Sequence, residues 1–324
     1  MREASKLMTK AAEVLFPASA PSQRAFLEAL LDPQPRGSAL VWTVPRRAGE
    51  YDTVPREELP HWLPEAIELV RPGVKPGAGA PYAAGEVYPL DFSSVVTGSA
   101  MLAARETLPP SPRVLDLCAA PGGKSILSSV LLRPGLILAN EVEHRRLGPL
   151  RHNLTRCGVP AAHTQRLAPE EIAALAPGRF DLCLVDAPCS GQSLLAKGME
   201  NPGCFHPSTV KGNARRQLRI LEAAAKTVAP GGFLLYTTCT FAPRENEGAV
   251  EKLLKANPTF HPVEVPHLAD FRSDLGLFPC YRVYPHLSPG AGGFSALLRR
   301  EGEAGKTDPE PLPAPLLDYP VVLP

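Results

Sequence analysis

The sequence contains no apolar run approaching the ~18 residues that a membrane-spanning helix needs, so no membrane association is expected. Its first residues, MREASKLMTKAAEVLFPAS, lack the apolar core of a signal peptide and read as an amphipathic helix. Charge of either sign is not in excess: Lys and Arg number 34 against 33 Asp and Glu, a net charge of +1. A global positive field is therefore excluded, and any phosphate-binding surface has to be a local patch. The seven cysteines, Cys118, Cys157, Cys183, Cys189, Cys204, Cys239 and Cys280, form no C-x-x-C pair and are odd in number. That excludes a zinc cluster or a disulfide framework as the organising principle and points to a reducing, cytoplasmic setting. Internal repeats are absent as well.

What is present is a chain of 324 residues with 44% hydrophobic content, enough for one large α/β domain and a smaller partner. Residues 1–35 carry helical spacing, at Leu7, Ala11, Val14 and Leu15 and again at Phe26, Leu27, Leu30 and Leu31. A strand-like run follows at 38–45. Residues 71–90 are rich in Gly and Pro and read as a connector. Beyond it, short apolar runs alternate with helical patterns, the signature of a parallel sheet with crossover helices. Strands are expected at 113–118, 135–141, 180–186 and 231–238, with helices at about 123–132, 143–157 and 213–228. A final antiparallel pair is expected at 280–284 and 293–300. The division this suggests is a small N-terminal α/β domain (1–80), a main domain (81–300) and a Pro-rich C-terminal tail (301–324), either loose or packed as an arm.

The first of these strands runs into a loop of small residues, Cys118-Ala119-Ala120-Pro121-Gly122-Gly123-Lys124, before a helix. Small side chains let a ligand approach the backbone, and the helix start supplies free N–H groups. Gly123-Lys124-Ser125 matches the end of a phosphate-binding P-loop. That pattern fails at its first glycine, occupied by Cys118, and Pro121 removes a donor that phosphates would use. The other reading is an S-adenosylmethionine loop in a Rossmann-like sheet. An acid at the end of the next strand should then hold the ribose, and Glu141 stands about 20 residues on, at the expected interval.

Two further strand ends carry cysteines: Asp186-Ala187-Pro188-Cys189 and Thr238-Cys239-Thr240. In a doubly wound sheet the carboxyl ends of central strands face one crevice, so both cysteines should open onto it. A cytosine ring would explain a cysteine and an acid there. Carbon 5 of cytosine is a poor nucleophile until a thiolate adds at carbon 6, and a carboxyl near ring nitrogen 3 can stabilise the adduct. Which cysteine attacks is left open by this chemistry. Cys157, Cys183 and Cys280 read instead as small buried hydrophobes.

DLCAAPGGKS, VDAPCSG and YTTCTFAPRENE, each at the end of an expected strand, resemble the motifs of the Sun (Fmu/Sun, or Nol/Nop/Sun) family of RNA cytosine-5 methyltransferases. The resemblance covers about residues 80–300. It implies a Rossmann-like class I methyltransferase sheet behind the small N-terminal domain, S-adenosylmethionine as the cofactor, and RNA, ribosomal in preference to transfer, as the partner. It assigns Cys118, Ala119, Ala120, Pro121, Gly122, Gly123, Lys124, Glu141 and Asp186 to the cofactor, Cys239 as nucleophile, Cys189 to product release, and Asp186 to cofactor and target base together. The sequence departs from the family between the second and third strands, where Thr164–Pro169 lacks the usual acid near the adenine. Glu170 or Glu171 is the available substitute.

RNA contacts are expected from Lys211, Arg215, Arg216 and Arg219 rather than from Arg145, Arg146, Arg151, His152 and Arg156, and from Lys197, Phe205 and His206 in the long 192–212 connection. No stable protein partner and no metal are expected. A nucleotide hydrolase built on Gly123-Lys124-Ser125 and a non-catalytic RNA-binding protein are the alternative readings.

Overall fold

The computed structural model describes residues 3–303 and 311–322. Helices α1 (Lys6–Leu15) and α2 (Ala20–Leu31) pack together at the N-terminus. Each starts at a serine, Ser5 or Ser19, whose side chain accepts an otherwise unpaired amide of the first turn. Three strands, β1 (Ser38–Trp42), β2 (Ile67–Leu69) and β3 (Val87–Asp91), form an antiparallel sheet in the order β2-β1-β3. The stretch read as a connector thus supplies a short helix, α3 (Ala80–Ala83), and a strand of the N-terminal sheet. Asp91 then caps helix α4 (Phe92–Ser99).

The main sheet alternates with helices as the hydrophobic pattern requires: β4 (Arg113–Asp116), α5 (Gly123–Leu132), β5 (Leu136–Asn140), α6 (His144–Arg156), β6 (Ala162–Gln165), α7 (Pro169–Leu175), β7 (Phe180–Asp186), α8 (Pro207–Thr227) and β8 (Val228–Thr238). Helix α9 (Glu247–Ala256) and strands β9 (Phe260–Pro262), β10 (Tyr281–Val283) and β11 (Gly293–Arg300) complete it. The order is β10-β11-β8-β7-β4-β5-β6, with β9 beside β11. Strands β4 to β8 are parallel; β11 runs antiparallel to β8. Sequential order reverses between β4 and β7, so their carboxyl ends diverge into a crevice.

Successive residues of a strand serve opposite faces. Leu182 and Leu184 of β7 join a core with α4, α5 and the N-terminal sheet, while Cys183 and Val185 join the core under α8 and α9. The N-terminal sheet therefore shares a continuous core with the main sheet. Burial pushes Cys183 and Cys280 up to about 12 and Cys157 up to about 11, as expected for thiols used as hydrophobes.

Two devices fasten the periphery. Arg36, between α2 and β1, donates to the carbonyls of Ala196 (3.2 Å), Pro285 (2.9 Å), Ser288 (3.1 Å), Pro289 (3.3 Å) and Gly290 (2.9 Å). The described part of the tail is an arm packed along β6: the Thr164 amide donates to Tyr319, the Val321 amide to Ala162, and Leu312 and Leu316 are buried. Residues 304–310 of that tail lie outside the described residues. Among the described residues no helix is long and apolar enough to cross a membrane.

Candidate active site

The crevice at the strand ends is a pocket of about 1410 Å³, larger than a single small ligand requires. Four strand ends supply its chemistry. After β4 the chain turns through Ala119–Gly122; Gly122, with φ of +113°, adopts a conformation that glycine tolerates and starts α5. Cys118, Ala120, Pro121 and Lys124 line the pocket, whereas Ala119, Gly122 and Gly123 do not. At Gly123 a Cβ would meet Leu90 Cδ2 at 2.5 Å, so this glycine serves the close packing of α5 on β3.

The loop is not built for phosphate. The Ala119 amide donates to Asn140 at 2.8 Å and the Gly122 amide to Ala119 at 2.7 Å, so two of its donors are turned inward. Lys124 is nearly buried and reaches across the crevice, its Nζ 2.8 Å from Asp186 Oδ2. Asp186 ends β7, and its Oδ1 accepts the Thr237 hydroxyl at 2.8 Å.

Glu141, just after β5, is 4% exposed yet lines the pocket. Its Oε1 accepts the Glu143 amide at 2.9 Å; its Oε2 makes no hydrogen bond among the described residues and lies 3.2 Å from Arg146 Nη1 as an ion pair. On the adenine side expected for the donor, Ala168, Pro169 and Glu170 line the wall. Glu171 is excluded as the substitute acid because it caps α7, accepting the Ala168 amide at 2.6 Å. Glu170 faces the pocket, 3.6 Å from Arg219.

The two cysteines meet. Cys189 Sγ and Cys239 Sγ are 3.3 Å apart, and both line the pocket. The hydrogen bond from Cys189 lowers the Cys239 pKa, helped by Lys124 and Lys197 and opposed by burial and Asp186. The same contact, with burial and Glu245, raises the Cys189 pKa. The contact thus pushes the two sulfurs in opposite directions, Cys239 toward the thiolate and Cys189 toward the thiol.

Two acids of the site are given no role by the motif reading. Asp116, at the end of β4, is fully buried; its Oδ2 accepts the Ser125 hydroxyl at 2.7 Å, its Oδ1 makes no hydrogen bond among the described residues, and burial pushes it up to about 7. It opens the DLCAAPGGKS motif, but that resemblance assigns it no role, and its remaining sequence signal is an acid closing an apolar strand. Asp91 holds Lys197 at 3.3 Å over the pocket.

The basic clusters separate as well. Arg215, Arg216 and Arg219 are exposed along the pocket mouth. Arg151 instead binds Thr164 Oγ1 and stacks over Tyr319, and Arg156 donates to Tyr82 and Val87 carbonyls. Phe205 packs against the α1–α2 core, and His206 caps α8 through Nδ1 while remaining exposed.

A parallel sheet with a ligand loop after its first strand and an acid after its second defines a Rossmann-like class I methyltransferase. The chain belongs to the 16S rRNA methyltransferase RsmB/F family, the Sun family, which it matches over residues 105–299. It is 31% identical over 268 residues to ribosomal RNA small subunit methyltransferase F of Cronobacter sakazakii, covering 78% of this chain and 52% of that protein. It is 32% identical to the protein of that name from Serratia proteamaculans, covering 74% and 49%. The chain spans about half the length of the curated relatives it matches. In fold it is similar to a methyltransferase homolog protein from Pyrococcus horikoshii (TM-score 0.69, 22% identity, 92% of this chain and 100% of that one). It is also similar to NSun6 from Pyrococcus horikoshii solved with SFG (TM-score 0.68, 18% identity, 91% and 98%).

Class I methyltransferases of this family use S-adenosylmethionine. The residues present fit it: Glu141 has a buried carboxylate oxygen with no hydrogen bond at the pocket wall, and Ala120 leaves room over the loop. A nucleotide hydrolase fits poorly, because Lys124 is committed to Asp186 and the Ala119 and Gly122 amides are used within the protein.

Proposed function

We propose that this protein transfers a methyl group from S-adenosylmethionine to carbon 5 of a cytosine in RNA, with Cys239 as covalent nucleophile. The observation that carries the reading is the 3.3 Å contact of Cys189 and Cys239 beside the Lys124–Asp186 pair in one pocket. In this reading residues 81–300 are the methyltransferase unit and residues 1–80 a smaller part that contacts RNA. Glu141 binds the ribose of the donor, and Cys118, Ala120 and Pro121 form the wall beside it.

Cys239 adds as thiolate to carbon 6 of the ring, and the electrons of the 5,6 double bond move toward carbon 5 and the ring nitrogen. Asp186 faces ring nitrogen 3 and stabilises the adduct by a hydrogen bond, with the Lys124 ammonium 2.8 Å away as the source of the proton this requires. When bound, S-adenosylmethionine supplies a methyl group on a positively charged sulfur, to which the activated carbon is nucleophilic. A base then takes the carbon 5 proton, and the released electron pair restores the 5,6 double bond as the bond between Cys239 and carbon 6 breaks and the thiolate leaves. The ring nitrogen returns its proton to Lys124, and Cys189 assists the departure.

Carbon 6 is hidden within a duplex, so the target base is single-stranded or turned out. The exposed guanidinium groups of Arg215, Arg216 and Arg219 stand at the pocket mouth, where backbone phosphates would pass. Ribosomal RNA is the preferred substrate class, in keeping with the names of the relatives.

The test incubates Cys189→Ala and Cys239→Ala variants with cellular RNA and S-adenosylmethionine. Cys189→Ala should accumulate a covalent RNA adduct and Cys239→Ala none. Absence of an adduct from both, with donor binding intact, would overturn the mechanism.

A further inference from the structure

Behind Cys189 lies a buried acid for which the reaction above has no use. Glu245 is fully buried. Its Oε2 accepts the Ser190 amide at 2.9 Å and Gln217 Nε2 at 2.8 Å, and the same Gln217 nitrogen donates to the Pro188 carbonyl at 3.0 Å. The residues on either side of Cys189 are thus held by one Glu245–Gln217 pair. Asn201 Nδ2 secures the next carbonyls, Ser190 at 2.8 Å and Gly191 at 2.9 Å. One position beyond each cysteine, the hydroxyls of Ser190 and Thr240 meet at 2.7 Å and join the two loops. The sulfur contact is the outcome of this bracing.

Bracing alone needs only acceptors, and a neutral amide would provide them. A carboxylate adds charge: burial pushes the Glu245 pKa up, and the Ser190 and Gln217 donors act against that shift to favour the charged form. Its other oxygen, Oε1, makes no hydrogen bond among the described residues, so no donor satisfies it there. The groups that act electrostatically on the two sulfurs differ in sign. Cys239 has the cations Lys124 and Lys197 with one acid, Asp186; Cys189 has Glu245 and Cys239 itself. Two touching thiols that share one proton place it where negative charge is nearest.

We propose that Glu245 is a positioning residue for the thiol pair, whose charge keeps the shared proton on Cys189 and so leaves Cys239 the nucleophile. The inference rests on the reading of Cys239 as nucleophile, and its test is independent of RNA. Folded protein is labelled with limiting iodoacetamide near neutral pH, and the ratio of Cys239 to Cys189 alkylation is read by peptide mass spectrometry. Glu245→Gln retains an acceptor for Ser190 and Gln217 and removes only the charge. The ratio should fall roughly tenfold, the factor given by one unit of relative pKa change between the sulfurs.

Gln217→Met is the second variant. It breaks the link to Pro188 but keeps the charge, and should retain the ratio. An unchanged ratio in folded Glu245→Gln, or an equal fall in Gln217→Met, would reduce Glu245 to a structural brace and overturn the proposal. If Cys189→Ala failed to trap RNA while the alkylation ratio behaved as expected, the methylation reading would fail and the division of proton and charge would stand.

Discussion

At Asp116 burial of a carboxyl group couples the site to pH. Burial raises this group from a usual value of 3.8 to about 7, so the folded state holds a proton that the unfolded chain has released. Between pH 4 and 7 this group therefore holds more proton in the folded than in the unfolded state, and its contribution to stability falls as pH rises through that window. At full strength the loss is roughly 4 kcal/mol. Asp116→Asn should flatten the fall, seen as a smaller difference between denaturation midpoints at pH 5 and pH 8 than in the wild type. An identical pH dependence in the two proteins would count against a raised Asp116. Asp116 opens a motif legible in the sequence, but its hold on a proton was not, since an acid closing a strand is commonplace and its burial depends on α5 folding over it. Cys189, Cys239, Asp186 and Glu141 were legible because each ends a strand of a sheet whose carboxyl ends converge.

The elements divide in the same way. Strands β4, β5, β7 and β8 are apolar runs buried on both faces, which the sequence displays without help from partners. Strand β6, AHTQ, carries no such run, because it stands between β5 and the arm and takes much of its support from Tyr319 and Val321. That arm looked like a proline-rich tail, and only its contacts show it to be part of the body. Leu316, wholly buried, should cost about 2–5 kcal/mol when changed to alanine. Thermal unfolding measures the cost, and a change within error would mean the arm is not anchored there.

Helix α9 makes a second, more polar attachment. Glu247 accepts Arg282 Nε at 2.7 Å and the Ser273 hydroxyl at 2.8 Å inside the protein. Arg282→Met would leave that carboxylate buried without its cation and should destabilise by about 3–5 kcal/mol. The paired change Arg282→Met with Glu247→Leu should recover part of the loss in denaturant titrations.

Over the whole molecule, near-neutral charge conceals an uneven surface. Acids and bases balance in number, yet Arg215, Arg216 and Arg219 gather at one mouth. Replacing Arg215 and Arg216 with alanine should weaken RNA binding and reduce the slope of log affinity against log salt by about 0.7 for each lost phosphate contact with a single strand. Titrations at several salt concentrations would show it, and an unaltered slope would place the RNA path elsewhere. Composition could not reveal this patch because it is produced by the register of α8, whose buried stripe at Ala214, Gln217 and Leu221 turns the arginines outward.

Arg36 closes the account of how the periphery is fastened, and its choice of partners has an evolutionary consequence. It donates to five main-chain oxygens. A carbonyl is the same whichever side chain its residue carries. Positions 287–289 can therefore drift in sequence among descendants without loosening from the N-terminal part, whereas Gly290 cannot, because a Cβ there would clash with the Ser93 backbone nitrogen. Selection should weigh on one arginine and on backbone shape, and leave the letters of that loop comparatively free.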